Sequence, residues 1–332
     1  MKKQIIAAAV AASVSAVALA DVAISGAAQV NWTQTETSSN STSTAMSHDL
    51  DLKIVGKSGD TSVTVDIENL DAEEAGKSTT ADVIDFKNVY MTTKIGDIDV
   101  KMGSWYGGDS LLANGSSTKD RVKLSTDVMG WGVSYETTSD AAASGSTDAL
   151  GSTLYGDNSE IIVSGSIGPV NVSHEMESYE DHTTTTVSTS YQGVNLYYQT
   201  QESDNSSKND NKDALQVDAT LNGVTVTYAK VDASETAAGT QSDAFFGTFD
   251  GDADSATRID EADGFGIKTD VAGNTVQFRN YTVQKASAVS TDVDYNKVIV
   301  TRNLASGATA EVTFTDEDGG NETLDLELRV KF

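Results

Sequence analysis

The chain of 332 residues has no cysteine and one proline, Pro169. Without cysteine no disulfide framework can hold a chain sent out of the cytoplasm, so stability has to come from secondary structure and its packing. With one proline, almost every residue can donate its N–H to a strand ladder. Basic residues are also scarce. Lys and Arg number 22 against 50 Asp and Glu, a formal net charge of −28, which argues against a nucleic-acid partner. The three histidines, His48, His174 and His182, lie far apart; they have no metal-ligand spacing and no accompanying nucleophile motif, so neither an enzyme nor a cofactor is expected. Gly107-Gly108 does not follow the strand-to-helix pattern of a phosphate loop. No stretch after the N-terminus approaches the ~20 consecutive apolar residues of a transmembrane helix.

The N-terminus itself reads as a secretory signal peptide over residues 1–20. Lys2 and Lys3 precede an apolar, alanine-rich run from Ile5 to Val17, and Ala18-Leu19-Ala20 offers small residues at the cleavage position. The mature chain is expected to begin at Asp21, two positive charges poorer.

From Asp21 onward one unit recurs: an alternating strand, a tight turn, a second alternating strand, then a longer acidic stretch. In the clearest case Leu50, Leu52 and Ile54 turn through Gly56 to Asp60 and return as Val63, Val65 and Ile67, with Asp49, Asp51, Lys53, Thr64 and Asp66 on the other face. Further tight turns fall at Gly96-Asp97, Val128-Met129-Gly130, Gly168-Pro169, Gln192-Gly193, Asn222-Gly223, Ala272-Gly273-Asn274 and Ala305-Ser306-Gly307. The longer stretches between hairpins are rich in Ser, Thr, Gly, Asp and Glu.

Strict alternation in one strand fits a half-buried face in a soluble sandwich. Here nearly every strand is one-sided while the chain as a whole is not hydrophobic. Lipid on one face and water on the other explains both facts, and in lipid only a closed barrel pairs all the backbone of its strands. The expected fold is therefore all-β: a transmembrane antiparallel β-barrel over 21–332, with short periplasmic turns and long acidic external loops. It should have 16–18 strands, and the turn count favours 18.

The ends of the mature chain carry a resemblance. Asp21-Val-Ala-Ile-Ser-Gly26 is similar to the opening of general diffusion porins of Gram-negative outer membranes. The final strand, with Leu324, Leu326, Leu328, Val330 and Phe332 on one face and an aromatic at the end, resembles their assembly signal. The resemblance implies a water-filled channel for small hydrophilic solutes and ions. It also implies lipid contact, delivery through the barrel-assembly machinery by the last strand, and a homotrimer. Two features depart from that family: the count of eighteen, where trimeric general porins have sixteen, and the lack of arginine-rich wall motifs. Saccharide-specific channels, which often have eighteen strands, are an alternative, as is a secreted or cell-surface structural β-protein.

In such porins the loop after the fifth strand narrows the pore. The corresponding segment is 103–120, with Asp109 and Asp120 as its acids. Alternation places Lys53, Lys101, Arg121, Lys123 and Arg329 on the opposing lumen wall. The excess of acids implies cation selectivity. Aromatics at strand ends, including Trp32, Tyr90, Trp105, Tyr106, Trp131, Tyr135, Tyr197, Tyr228, Tyr281 and Tyr295, are expected at the two membrane interfaces. Asp250, Asp252, Asp254 and Glu261 share the carboxylate spacing of a calcium loop, but Ser255 stands where such loops want glycine, and incidental loop acidity is the simpler account.

Overall fold

The computed structural model describes residues 21–68, 85–107, 119–139, 159–177, 182–203, 211–233, 259–285 and 291–332; residues 1–20, with the expected signal peptide, lie outside them. The described residues form eighteen strands. They are β1 (Asp21–Glu36), β2 (Thr42–Ser58), β3 (Thr61–Glu68), β4 (Asp85–Ile95), β5 (Ile98–Trp105), β6 (Lys119–Val128), β7 (Trp131–Ser139), β8 (Ser159–Ile167) and β9 (Val170–Glu177). The circuit continues with β10 (His182–Tyr191), β11 (Val194–Ser203), β12 (Lys212–Leu221), β13 (Val224–Ala233), β14 (Ile259–Val271), β15 (Asn274–Lys285), β16 (Thr291–Asn303), β17 (Ala308–Glu317) and β18 (Glu322–Lys331). Each strand pairs antiparallel with its sequence neighbours, and β1 also pairs with β18, so the sheet closes without an edge.

The closure answers the accounting problem posed by a cysteine-free chain with weak overall hydrophobicity. Closure pairs every described strand on both sides, apart from local irregularities in the β3–β4 and β14–β15 ladders, and leaves no edge strand to aggregate. At the seam, Gly26 and Phe332 exchange both backbone hydrogen bonds, at 2.8 and 3.0 Å, so the last residue of the chain completes the circle.

The tight turns fall where the sequence places them. At Asn222-Gly223 and Gln192-Gly193 both central residues have positive φ, the conformation whose twist matches that of the flanking strands. Glycine supplies one of the two positions in each pair without steric cost. One rim therefore carries only connections of two to four residues, while the other carries every longer connection together with the short ones at 37–41, 178–181 and 318–321.

Side chains alternate between the two faces. The inner face of a cylinder is concave and crowded, so its residues are the less accessible ones. On β16, buried Lys297 alternates with exposed Val298; on β17, buried Thr313 lies between exposed Val312 and Phe314. The exposed apolar set, among them Ile24, Val30, Leu124, Ile161, Val226, Phe265, Leu326 and Leu328, makes the outer band. Among the described residues no separate core exists. The nearest equivalent is a lumen-side cluster of Ala214, Ala229, Val231, Ala262, Tyr281, Val283 and Tyr295 on β12 to β16.

The aromatic residues divide differently from the expectation. Trp131, Tyr135 and Tyr228 share the outer face with exposed Val and Ile neighbours. Trp105, Tyr281 and Tyr295 are buried on the lumen side, and Tyr90 and Tyr197 share that face through their pairing and packing.

Candidate functional site on the lumen wall

Four strands carry the best-defined charge arrangement. In register around the barrel, Lys101 on β5 stands opposite Lys123 on β6, Lys123 opposite Glu136 on β7, Glu136 opposite Glu160 on β8, and Glu160 opposite Glu177 on β9. Glu177 in turn faces His182 on β10. Two bases are thus followed by three acids along one hoop, all on the inner face. Antiparallel pairing at a shared register enforces this: residues directly opposite each other point to the same side.

Glu136 is the junction. Arg121 donates from Nη1 to its Oε1 at 2.6 Å, and Lys123 Nζ lies 3.3 Å from its Oε2. Each carboxylate oxygen therefore has its own cation, and with Glu136 only 5% exposed this pairing is what makes burial of the three charges tolerable. Lys101 is held differently. Its ammonium sits 4.1 Å from the centre of the Tyr90 ring and 4.2 Å from that of Trp105, and Tyr90 and Trp105 meet edge to face at 6.2 Å. The aromatic faces offer a cation favourable quadrupoles where no carboxylate is adjacent.

The remaining wall bases are paired across strands. Lys53 Nζ lies 3.5 Å from Asp66 Oδ1, while Asn88 Nδ2 donates to the other oxygen at 2.9 Å. Arg329 Nη2 reaches Asp51 at 4.0 Å across the seam. All five bases expected on the inner wall, Lys53, Lys101, Arg121, Lys123 and Arg329, therefore stand on one face of the sheet, the face of Glu136.

The acids of the expected constriction are placed otherwise. Asp109 lies outside the described residues. Asp120 belongs to β6, where it alternates with Arg121 and shares the face of Val122 and exposed Leu124. A strand side chain cannot oppose the residue next to it in sequence, because neighbours point to opposite faces, so Asp120 is separated by the sheet from the bases it was expected to face. The expected loop 103–120 is also shortened at both ends, since β5 runs to Trp105 and β6 begins at Lys119. The acids that do meet the bases are the strand residues Asp51, Asp66 and Glu136, and Glu160, Glu175 and Glu177 lie farther along the wall from Glu136. Their signal was available: on β9, Asn171, Ser173, Glu175 and Glu177 alternate with Val170, Val172, His174 and Met176.

Of the calcium-loop candidates, Asp250, Asp252 and Asp254 lie outside the described residues. Glu261 sits on β14 and its Oε1 accepts from Lys230 Nζ at 2.6 Å. Among the described residues no group of three or more His, Cys, Asp or Glu is arranged to hold a metal ion.

The last-strand residues Leu324, Leu326, Leu328 and Val330 alternate with Asp325, Glu327 and Arg329 and share the outer face with Phe332, whose ring lies over Gly26.

No protein-family model and no curated protein matches the sequence. Solved structures do match in fold. The outer membrane protein OpdK from Pseudomonas aeruginosa aligns with a TM-score of 0.59 and 9% identity, over 93% of this chain and 99% of that one. Pseudomonas aeruginosa OccK2 (OpdF), solved in complex with glucuronate, aligns at 0.63 and 11%, over 94% and 96%. Acinetobacter baumannii OccAB3 aligns at 0.59 and 10%, over 94% and 100%. At these identities the likeness is one of fold, and it extends over nearly the whole of each chain: this protein has the architecture of an outer-membrane β-barrel.

Proposed function

We propose that the protein is a porin of the outer membrane, a non-enzymatic, water-filled channel through which small hydrophilic solutes and ions diffuse. The observation that carries this reading is the closed eighteen-strand wall with an apolar outer band and an inner face of hydrogen-bonded polar and charged residues. Barrels of this size enclose an aqueous passage. Cation preference is part of the proposal. On the β8 and β9 wall, Glu160 and Glu175 have no ion-pair partner among the described residues, and unpaired acids along a permeation path enrich cations. Insertion through the barrel-assembly machinery by the last strand, and assembly as a trimer, are expectations of the same reading.

A substrate-specific channel is the second reading. It is favoured by the eighteen strands, which depart from the sixteen of general porins, and by a fold neighbour that was crystallised with glucuronate. The test is single-channel recording of refolded protein in a planar bilayer, followed by reversal potentials across a potassium chloride gradient. Stepwise ohmic openings with cation preference support the diffusion channel. Openings blocked by sugars or sugar acids move the assignment to the specific class, and inserted protein without conductance overturns both.

A further inference from the structure

Closure around the barrel is complete, yet neighbouring strands do not end at one height. β2 pairs with β1 from Thr42 opposite Glu36 to Lys57 opposite Asp21, but with β3 only over 52–58. On the β3 side, residues 42–50 have no cross-strand partner among the described residues. This stretch lies at the external end. On the outer face β1 runs from Val22 to Trp32, about the 9–11 residues in which a strand crosses a bilayer, and Trp32 stands opposite Met46, so Thr42 and Thr44 lie beyond the apolar band. Residues 42–47 are all exposed, Met46 by 60%.

The direction of the backbone groups follows from the seam. Gly26 exchanges both its backbone hydrogen bonds with Phe332, so even-numbered residues of β1 bond toward β18 and odd-numbered ones toward β2. Carried through the unshifted β1–β2 register, this leaves Thr42, Thr44, Met46 and His48 with N–H and C=O groups aimed away from β1, at the open side. Such an edge invites pairing, and proteins commonly blunt it with lysine, proline or a bulge. None of the three occurs over 42–50. The one acid there is Asp49, whose Oδ1 is buried without a hydrogen-bond partner among the described residues, and from 33 to 52 the chain has no Lys or Arg.

We infer that the 42–50 edge of β2 is a docking site for an extended basic segment of another molecule, which adds to the sheet as a strand at the external rim. Main-chain hydrogen bonds to the four outward-aimed residues supply affinity, and a lysine or arginine opposite Asp49 supplies the partner that its Oδ1 lacks. A second copy in the same membrane does not fit. Antiparallel strands are related by a two-fold axis perpendicular to the sheet; in a barrel wall that axis lies in the membrane plane and would turn the copy upside down, while an in-register parallel pair would set Asp49 beside Asp49. The inference goes beyond the channel reading and does not depend on it.

The experiment is hydrogen exchange of the refolded barrel in detergent, with and without a peptide of about nine residues that alternates lysine with threonine, together with fluorescence anisotropy of the labelled peptide. The amides of Thr44 and Met46 should exchange fast in the barrel alone and slowly with the peptide bound. M46P removes one edge N–H without touching the β1 ladder and should weaken binding at least about tenfold, whereas M46A keeps the N–H and should bind like the unsubstituted barrel. If M46P does not refold, the same peptide with a central proline carries the test from the other side and should also bind at least about tenfold more weakly. Equal binding by the proline-interrupted peptide would reduce the attraction to net charge, and equal binding by a glutamate-for-lysine peptide would remove the basic partner; either overturns the assignment. Slow exchange at Thr44 and Met46 in the barrel alone also overturns it, because the edge would then be filled by residues 69–84 of the chain itself or by a second copy.

Discussion

The ring of Phe332 lies across Gly26 on the outer face of the seam, and the two residues exchange both backbone hydrogen bonds there. A Cβ built on Gly26 would stand 2.7 Å from the Phe332 ring and 2.5 Å from the backbone oxygen of Asp51. Glycine is therefore required at 26 by close approach from both neighbouring strands, and the terminal aromatic covers the backbone that the missing side chain exposes.

That geometry predicts that Gly26→Ala destabilises the barrel by about 1–3 kcal/mol through overpacking, and that Gly26→Val abolishes closure. The check is heat-modifiable mobility in detergent gels with a urea unfolding midpoint. Phe332→Ala should lower the midpoint less than Gly26→Val, because it removes covering area without forcing β1 and β18 apart. A Gly26→Val barrel that migrates as folded until boiled would show that the seam tolerates a side chain.

Glu136 joins two cations, so neutralising it should cost more than neutralising either base. Glu136→Gln removes the carboxylate that Arg121 and Lys123 share, at a cost of roughly 3 kcal/mol. Replacing Glu136 by Leu together with Arg121 by Met removes the charges in balance and should recover at least half of that loss. Equal unfolding midpoints for Glu136→Gln and the unsubstituted protein would mean that lumen water already solvates these groups.

How much of this was legible in the sequence depends on the strand. On β2, β3 and β9 the alternation is clean, and the faces of Lys53, Asp66 and Glu175 follow from it directly. The turn glycines mark the hairpins, so the count of eighteen follows from chemistry that needs no tertiary context. The loops gave less. Asp120 lies on a strand and not in the expected loop, and nothing in Ser-Thr-Lys-Asp-Arg distinguishes the start of a strand from the end of a polar connection. On β12 to β16 the pattern inverts toward the longer connections: Ala214, Val231 and Val283 point inward while Asp213, Asp232 and Glu261 point outward. There the strands extend beyond the apolar band, and polarity no longer identifies the face.

A glycine–aromatic pair recurs on the outer face between β7 and β8. Carbons of the Trp131 ring would lie 2.5 to 3.0 Å from a Cβ on Gly165, so the indole covers that glycine as Phe332 covers Gly26. Gly165→Val should displace the indole and cost about 1–3 kcal/mol. Trp131→Ala should cost stability without preventing closure, because β7 and β8 are joined through their own ladder. Urea midpoints and tryptophan emission of the refolded variants read both effects, and an unchanged emission maximum in Gly165→Val would refute the contact.

Selectivity should follow the inner-face acids and ignore the outer-face one. Glu160→Gln with Glu175→Gln removes two acids from the β8 and β9 wall, and the potassium-to-chloride permeability ratio should fall at least about twofold at low salt, with a smaller change at 1 M where the Debye length is only about 3 Å. Asp120→Asn changes net charge by the same amount per substitution, but Asp120 shares the face of Leu124, on the other side of the sheet from the passage. Its reversal potential should match that of the unsubstituted channel. The two measurements together separate a field acting along the permeation path from the general acidity of the chain: if Asp120→Asn shifted selectivity as much as the glutamate pair, net charge at the mouth would set the preference and the hoop of Lys101, Lys123, Glu136, Glu160 and Glu177 would have no special role.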